Sequence, residues 1–140
     1  MIECMAQRDP CRILIIDDDA ATLLALAVLI RAHFPDTIIQ TAINADAALN
    51  WIRNFRYDVV LLDIWLPRID GLTLWKKSRS HLGSARVLIM SGSFDDALKK
   101  QALEDGAYAC LEKPILPDVL IEAMKGALYS NSIQTVVDKL

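Results

Sequence analysis

An α/β fold with a doubly wound parallel sheet of five strands is predicted by three observations. Five short apolar runs alternate with five longer stretches of helical periodicity along the chain. One run, Val59 to Leu62, is apolar throughout and β-branched at its start, which suits a strand covered on both faces better than a half-exposed one. Neither an internal repeat nor a low-complexity linker breaks the alternation, and 140 residues are enough for one domain with a sizeable core.

Residues 1–11 read as a short leader, 12–129 as the folded domain, and 130–140 as a polar, then apolar, tail. Arg12 to Ile16 is the first strand and runs directly into Asp17, Asp18 and Asp19. Asp19 is positioned to cap a helix over Ala20 to His33. On a 3.6-residue wheel Leu26, Leu29 and Ile30 of this helix share one side, while Leu24 and Ala27 fall near Arg31, so some apolar surface faces outward. Pro35 and Asp36 turn the chain into a strand over Thr37 to Thr41, and Asn44 caps a helix from Ala45 to Phe55.

After the central strand, Pro67 and Gly71 end the extended run and open a helix from Gly71 to Arg79, with a loop over His81 to Ser84. Arg86 to Met90 is a further buried strand that ends in Ser91-Gly92-Ser93. Asp95 to Asp105 is a helix stopped by Gly106, Ala107 to Leu111 the last strand, and Pro117 to Tyr129 the last helix, with proline at its start where it costs least.

Composition excludes several classes. A net charge of −3 and a pI near 5.3 give no electrostatic footprint for nucleic acid, so direct binding to it is not expected. Cys4, Cys11 and Cys110 are odd in number, scattered and without a CxxC, which indicates neither a disulfide framework nor a zinc site. A reducing cytoplasm is the simplest setting. The first ten residues lack a signal-peptide apolar core, and the apolar run Ala20 to Ile30 is too short to span a bilayer, so no membrane association is expected.

Chemistry collects where strands end. Asp17 and Asp18 follow the first strand, Asp63 closes the third, Ser91 the fourth and Lys113 the fifth. In open α/β sheets ligands bind outside the carboxyl ends of the strands. Carboxylates that meet there repel by roughly 4 kcal/mol per pair at 4 Å and an effective dielectric of 20, unless a cation sits among them. Hard oxygen ligands with room for water suit Mg²⁺. Taken singly, each residue has a plainer role: Asp63 as a turn or capping acid, Lys113 as a solvated lysine, Ser91 as a turn residue, Asp19 as a helix cap. His33 and His81 read as structural or exposed, and Trp51 and Trp75 as packed on helices.

Four motifs taken together resemble one family: Ile-Leu-Ile-Ile-Asp-Asp-Asp at 13–19, Asp63 with Pro67 and Gly71 in D-x3-P-x3-G spacing, Leu-Ile-Met-Ser-Gly at 88–92, and Leu-Glu-Lys-Pro at 111–114. Over residues 12–129 the chain resembles the receiver domain of two-component response regulators. The resemblance implies the CheY-like, flavodoxin-like strand order 2-1-3-4-5, in which the acids of strands one and three converge. It implies that Asp63 accepts a phosphoryl group from a phosphohistidine of a histidine kinase or histidine phosphotransfer protein. By the same resemblance Asp18 ligates Mg²⁺ directly, Asp17 largely through water, and Asp63 and the backbone carbonyl of Trp65 complete the protein's share. Lys113 pairs with Asp63 at rest and with a phosphoryl oxygen afterwards, Ser91 shifts to bond that group, Gly92 leaves access open, and the Lys113-Pro114 bond is cis.

The family's aromatic switch position, three before Lys113, is held by Cys110, with Tyr108 expected two residues back on the same strand face. Trp65, two after Asp63, is expected to shield the phosphoryl group from water. Phosphorylation is expected to alter a face spanning residues 95–129 that meets a target protein or a second copy. Such a domain is a signalling module and no enzyme beyond its own phosphorylation and dephosphorylation. No output domain follows Tyr129 within the sequence, as expected of either a single-domain regulator acting by protein contact or a fragment whose effector was removed.

Three other readings stand beside this one. A phosphorylation-independent pseudo-receiver scaffold is favoured by the missing aromatic and opposed by the complete set Asp17, Asp18, Asp63, Ser91 and Lys113. An aspartyl-phosphate phosphatase would use Asp17 and Asp19, but Ala21 stands where such enzymes want Thr or Val. A flavin-phosphate site would be repelled by the acids after the first strand.

Overall fold

Strand β1, Arg12–Ile16, is apolar in four of its five positions and buried in the same four, so it can only lie inside a sheet covered on both sides. The computed structural model describes residues 10–129. The expected tail, and the expected leader apart from residues 10 and 11, lie outside the described residues. Strands β2 (Ile38–Ala42), β3 (Val59–Asp63), β4 (Arg86–Ser91) and β5 (Ala109–Glu112) complete the sheet. All pairings are parallel, in the order 2-1-3-4-5.

Alternation along each strand sorts the core into two layers. Val59 and Leu61 of β3 face one layer, with Leu26 and Ile30 of α1 (Ala20–His33) and Leu120 and Met124 of α5 (Pro117–Tyr129). Val60 and Leu62 face the other, with Ile52 of α2 (Ala45–Asn54), Trp75 of α3 (Gly71–Leu82) and Ala102 of α4 (Asp96–Glu104). Two helices thus cover one face and three the other, as parallel crossovers of one hand require.

Side-chain caps set the helix starts. Asp19, Asn44, Asp70 and Asp95 each accept a backbone N–H from the first turn of α1 to α4, contacts worth about 0.5–2 kcal/mol each. Helix α3 runs three residues past the expected Arg79, because Leu82 is buried and Gly83, at φ 56°, supplies the left-handed residue that ends it.

Several expectations are corrected. Ala27 is buried rather than outward, whereas Leu24 is exposed as expected. Strand β5 begins at Ala109, not Ala107. Tyr108 packs in the layer of α1 and α5, while Cys110 packs in the layer of α2 to α4, so they do not share a face. Regular alternation starts only after Tyr108, and counting back two residues crosses irregular backbone. Cys11 is buried and disulfide-bonded, although the cysteine spacing did not indicate it; pairing needs only Cα atoms within about 7 Å, not a CxxC. Cys110 is a free thiol.

Candidate functional site

Strands β1 and β3 are neighbours in register, Ile16 beside Leu62, so the residues that follow them emerge side by side. Carboxylate oxygens of Asp17, Asp18 and Asp63 lie within 4.8 Å of one another. Asp17 and Asp63 are buried and Asp18 is exposed. Three hard oxygen donors at the open end of a sheet, one of them facing solvent, fit a divalent cation that keeps some of its water.

Each buried acid is oriented by its own loop. Asp17 Oδ1 accepts the Asp19 amide at 2.9 Å, and Asp63 Oδ1 accepts the Trp65 amide at 3.1 Å. Their other oxygens meet one lysine: Lys113 Nζ donates to Asp17 Oδ2 at 2.5 Å and to Asp63 Oδ2 at 3.1 Å. The Lys113 amide donates to the Ser91 carbonyl at 2.8 Å, holding the end of β5 against β4. The Lys113-Pro114 peptide is cis, as the resemblance implied. The expected Lys113–Asp63 pair is present. Its shorter bond to Asp17 carried no sequence signal, since the two residues stand 96 positions apart.

Burial pushes the Asp63 carboxyl above its ordinary range, and the Asp17 charge adds to this; the Lys113 and Trp65 hydrogen bonds oppose it without cancelling it. Partial burial works against the Lys113 ammonium, yet the bonds to Asp17 and Asp63 outweigh it and raise the lysine. Asp19 is exposed and its carboxyl is lowered, chiefly by the Thr22 hydroxyl; it is the cap of α1, as read.

Ser91 is fully buried. Its hydroxyl donates to the Ser93 carbonyl at 2.9 Å and accepts the Ser93 amide at 3.1 Å, so it must leave Ser93 before it can bond a ligand. A Cβ at Gly92 would meet nothing within 4 Å, which leaves that approach open. Trp65 stands at the rim with 59% of its surface exposed. Between Asp63 and α3 the loop turns tightly: the Ile69 amide donates to the Pro67 carbonyl at 2.8 Å, and Arg68 between them has φ 73°. A non-glycine residue in that region costs about 1–3 kcal/mol, a strain that the spacing of Pro67 and Gly71 did not announce.

Tyr108 and Cys110 pack in different layers of the core. Tyr108 lies under the Arg86 guanidinium, 5.2 Å from its ring centroid, and against Gly126 of α5. Arg86 in turn donates to the Gly126 and Ala127 carbonyls at 3.2 and 3.1 Å. The aromatic of this region is thus part of the α5 packing and not of the face that carries Cys110. Elsewhere His33 and His81 are exposed, Trp75 is buried, and Trp51 donates its indole N–H to the Thr41 carbonyl of edge strand β2 at 2.9 Å. No helix among the described residues is long and apolar enough to cross a membrane.

A family model described as the response regulator receiver domain matches residues 13–125. The transcriptional regulatory protein LnrK of Bacillus subtilis is 33% identical over 113 residues, covering 81% of this chain and 51% of that protein. The chain spans about half the length, or less, of the curated relatives it matches. A two-component response regulator from Clostridium difficile has the same fold with a TM-score of 0.79 at 30% identity, over 87% of this chain and 99% of that one. A response regulator protein from Burkholderia pseudomallei, solved with a phosphorylated aspartic acid, a calcium ion and citrate, gives a TM-score of 0.76 at 26% identity, over 92% of this chain and 72% of that one.

Proposed function

The chain belongs to the response regulator receiver domain family of two-component signalling, and from that premise we propose that Asp63 is its phosphoacceptor. The observation that carries the reading is the meeting of Asp17, Asp18 and Asp63, with one lysine, Lys113, bonded to both Asp17 and Asp63. An Asp63 oxygen attacks the phosphorus of a phosphohistidine; the O–P bond forms as the P–N bond breaks, and the imidazole leaves with the electron pair and takes a proton. Asp17, Asp18, Asp63 and the backbone carbonyl of Trp65 would hold Mg²⁺, which supplies charge neutralisation at the transferring phosphoryl oxygens. Lys113 contributes a second positive charge there. The Ser91 hydroxyl exchanges Ser93 for a phosphoryl oxygen, and Gly92 leaves room for the donor.

The donor is a histidine kinase or a histidine phosphotransfer protein in the cytoplasm, and residues 12–129 form the receiver unit. Phosphorylation changes the face built from residues 95–129, which meets a target protein or a second copy. Relatives carry regulatory names such as DNA-binding response regulator MtrA; this chain's own acidic balance supports a protein target for the receiver itself. The packing of Tyr108 away from Cys110 favours a second reading, a scaffold that does not respond to phosphorylation.

Incubation with Mg²⁺ and acetyl phosphate, read by mass spectrometry, tests both. The proposal expects one phosphoryl adduct, lost on chelation of the metal and in Asp63→Asn. An unmodified wild-type chain would leave the scaffold reading, and steady release of inorganic phosphate from a phosphate ester would indicate a phosphatase instead.

A further inference from the structure

We propose that Cys4 and Cys11 form a reversible disulfide, a redox-controlled tether that ties the segment ahead of the sheet to the start of β1. The chain holds three cysteines. Of these, Cys11 is disulfide-bonded and Cys110 is a free thiol. Cys4, outside the described residues, is therefore the partner by elimination. The bridge closes a ring over residues 4–11 that ends where the sheet begins. Cys11 is firmly seated. Its carbonyl accepts the Ile38 amide of β2 at 2.8 Å, and its side chain is 1% exposed, in the apolar layer that also holds Phe34 and Leu128. A sulfur anchored in this way restrains whatever it is bonded to, because a disulfide holds the two Cα atoms within about 7 Å of each other.

The position of the bridge argues for control and against support of the fold. A structural disulfide removes freedom from the unfolded chain, and the effect grows with the length of the ring that it closes. Here the ring is short and lies wholly ahead of β1, so it ties no strand or helix of the described fold to another. In the cytoplasmic setting proposed above, the disulfides that form are as a rule transient or redox-sensing; the location enters the inference only at this step. The chemistry is thiol–disulfide exchange. Burial of Cys11 leaves Cys4 as the sulfur that an external reagent meets. The Cys4 thiolate attacks oxidised glutathione, and a mixed disulfide forms as one glutathione thiolate leaves. The Cys11 thiolate then attacks the Cys4 sulfur, and the second glutathione thiolate leaves. Two protein thiols thus give up two protons and two electrons, and the electrons pass to glutathione. Reduced glutathione reverses both steps and frees the leader from the tether. Asp17 lies at the opposite end of β1 from Cys11, about 20 Å away at roughly 3.3 Å per residue, so the tether acts apart from the acidic site.

Thiol mapping of the full chain tests this. The native chain is equilibrated with oxidised or reduced glutathione and quenched in acid; its free thiols are alkylated in denaturant, and it is digested with trypsin without reductant. Cleavage after Arg8 and Arg12 puts Cys4 and Cys11 on separate peptides, which stay joined only through a disulfide. In oxidised glutathione the expected product is residues 1–8 bonded to residues 9–12, with Cys110 alkylated. In millimolar reduced glutathione all three cysteines should be alkylated and the joined peptide should fall by about tenfold or more, and reoxidation should restore it. Cys110→Ser should leave this cycle unchanged, and Cys4→Ser should abolish the joined peptide. A bridge to Cys110, a bridge between two chains seen as a dimer on a non-reducing gel, or no bridge in oxidised glutathione overturns the pairing. A Cys4–Cys11 bridge that persists in excess reduced glutathione overturns the redox control.

Discussion

Gly71 lies against the backbone of Asp63: a Cβ built on it would sit 2.3 Å from the Asp63 carbonyl oxygen and 3.0 Å from the Ile64 Cα. The approach is fixed by the Gly71 amide, which donates to the Ile64 carbonyl at 2.6 Å and folds the loop back onto the end of β3. The obstacle is backbone, which cannot swing aside as a side-chain tip can.

Gly71→Ala should therefore destabilise the fold by about 1–3 kcal/mol, the range for forced overpacking. Gly92→Ala adds a methyl group where nothing lies within 4 Å, so its unfolding free energy should stay within about 0.5 kcal/mol of wild type. Urea denaturation of the two variants decides the point, and equal midpoints would contradict the steric reading of Gly71.

A second close approach carries the opposite lesson about side chains. A Cβ at Gly126 would fall 2.5 Å from the Tyr108 hydroxyl oxygen but 3.4 Å from the nearest ring carbon, so the hydroxyl is the obstacle. Gly126→Ala should be destabilising in the wild-type chain, despite alanine's advantage of about 1 kcal/mol inside a helix. Combined with Tyr108→Phe, the same substitution should become neutral or stabilising. Thermal unfolding of the four proteins of this cycle measures the coupling, and additive effects would count against it.

These contacts show where the sequence was legible. Apolar runs placed β1, β3 and β4, and capping residues such as Asp19 and Asn44 placed helix starts, because period and caps are local signals. The resemblance supplied the strand order, and with it the meeting of Asp17 with Asp63. What could not be read depends on backbone detail or on contacts remote in sequence. Nothing in Tyr108-Ala109-Cys110 tells that alternation begins two residues late, and nothing in Pro67-Arg68-Ile69 tells that the arginine takes φ 73°. Lys113 could be assigned to Asp63, yet its shorter bond to Asp17 follows from the seating of three strands, a matter of ångströms.

Burial of Asp63 makes the stability of the metal-free protein depend on pH in a defined direction. Its folded carboxyl is raised above the ordinary 3.8, chiefly by desolvation, so the folded state holds this proton more tightly than the unfolded chain does. Its ionisation therefore costs stability as pH rises through the folded value, and the cost is absent below the unfolded one. Asp63→Asn should be more stable than wild type at neutral pH in the presence of a chelator, and the gap should close as pH falls through the carboxylate range. The Lys113 ammonium, raised by Asp17 and Asp63 against partial burial, acts at the other end: its contribution is present below the unfolded lysine value and lost as pH rises past the folded one. Chemical denaturation at a series of pH values measures both, and a gap that widens on acidification would contradict the assignment for Asp63.

Trp65 separates function from stability. Its amide orients Asp63 at 3.1 Å, a backbone contact that any residue at this position keeps, while its indole stands at the rim and is largely exposed. Removal of the ring should leave the unfolding free energy within about 0.5 kcal/mol of wild type, as for other exposed positions without special contacts. On the proposed role of Asp63 as phosphoacceptor, the ring two residues on is expected to shield a phosphoryl group there from the water that hydrolyses it. Trp65→Ala should thus shorten the lifetime of the phosphorylated form by roughly two- to tenfold, about 0.4–1.4 kcal/mol in barrier, and Trp65→Phe should restore much of it. Loss of the phosphoryl group followed by mass spectrometry after removal of the donor measures this. Equal lifetimes for wild type and Trp65→Ala would show that water reaches Asp63 by another side and that the indole serves only as a rim contact.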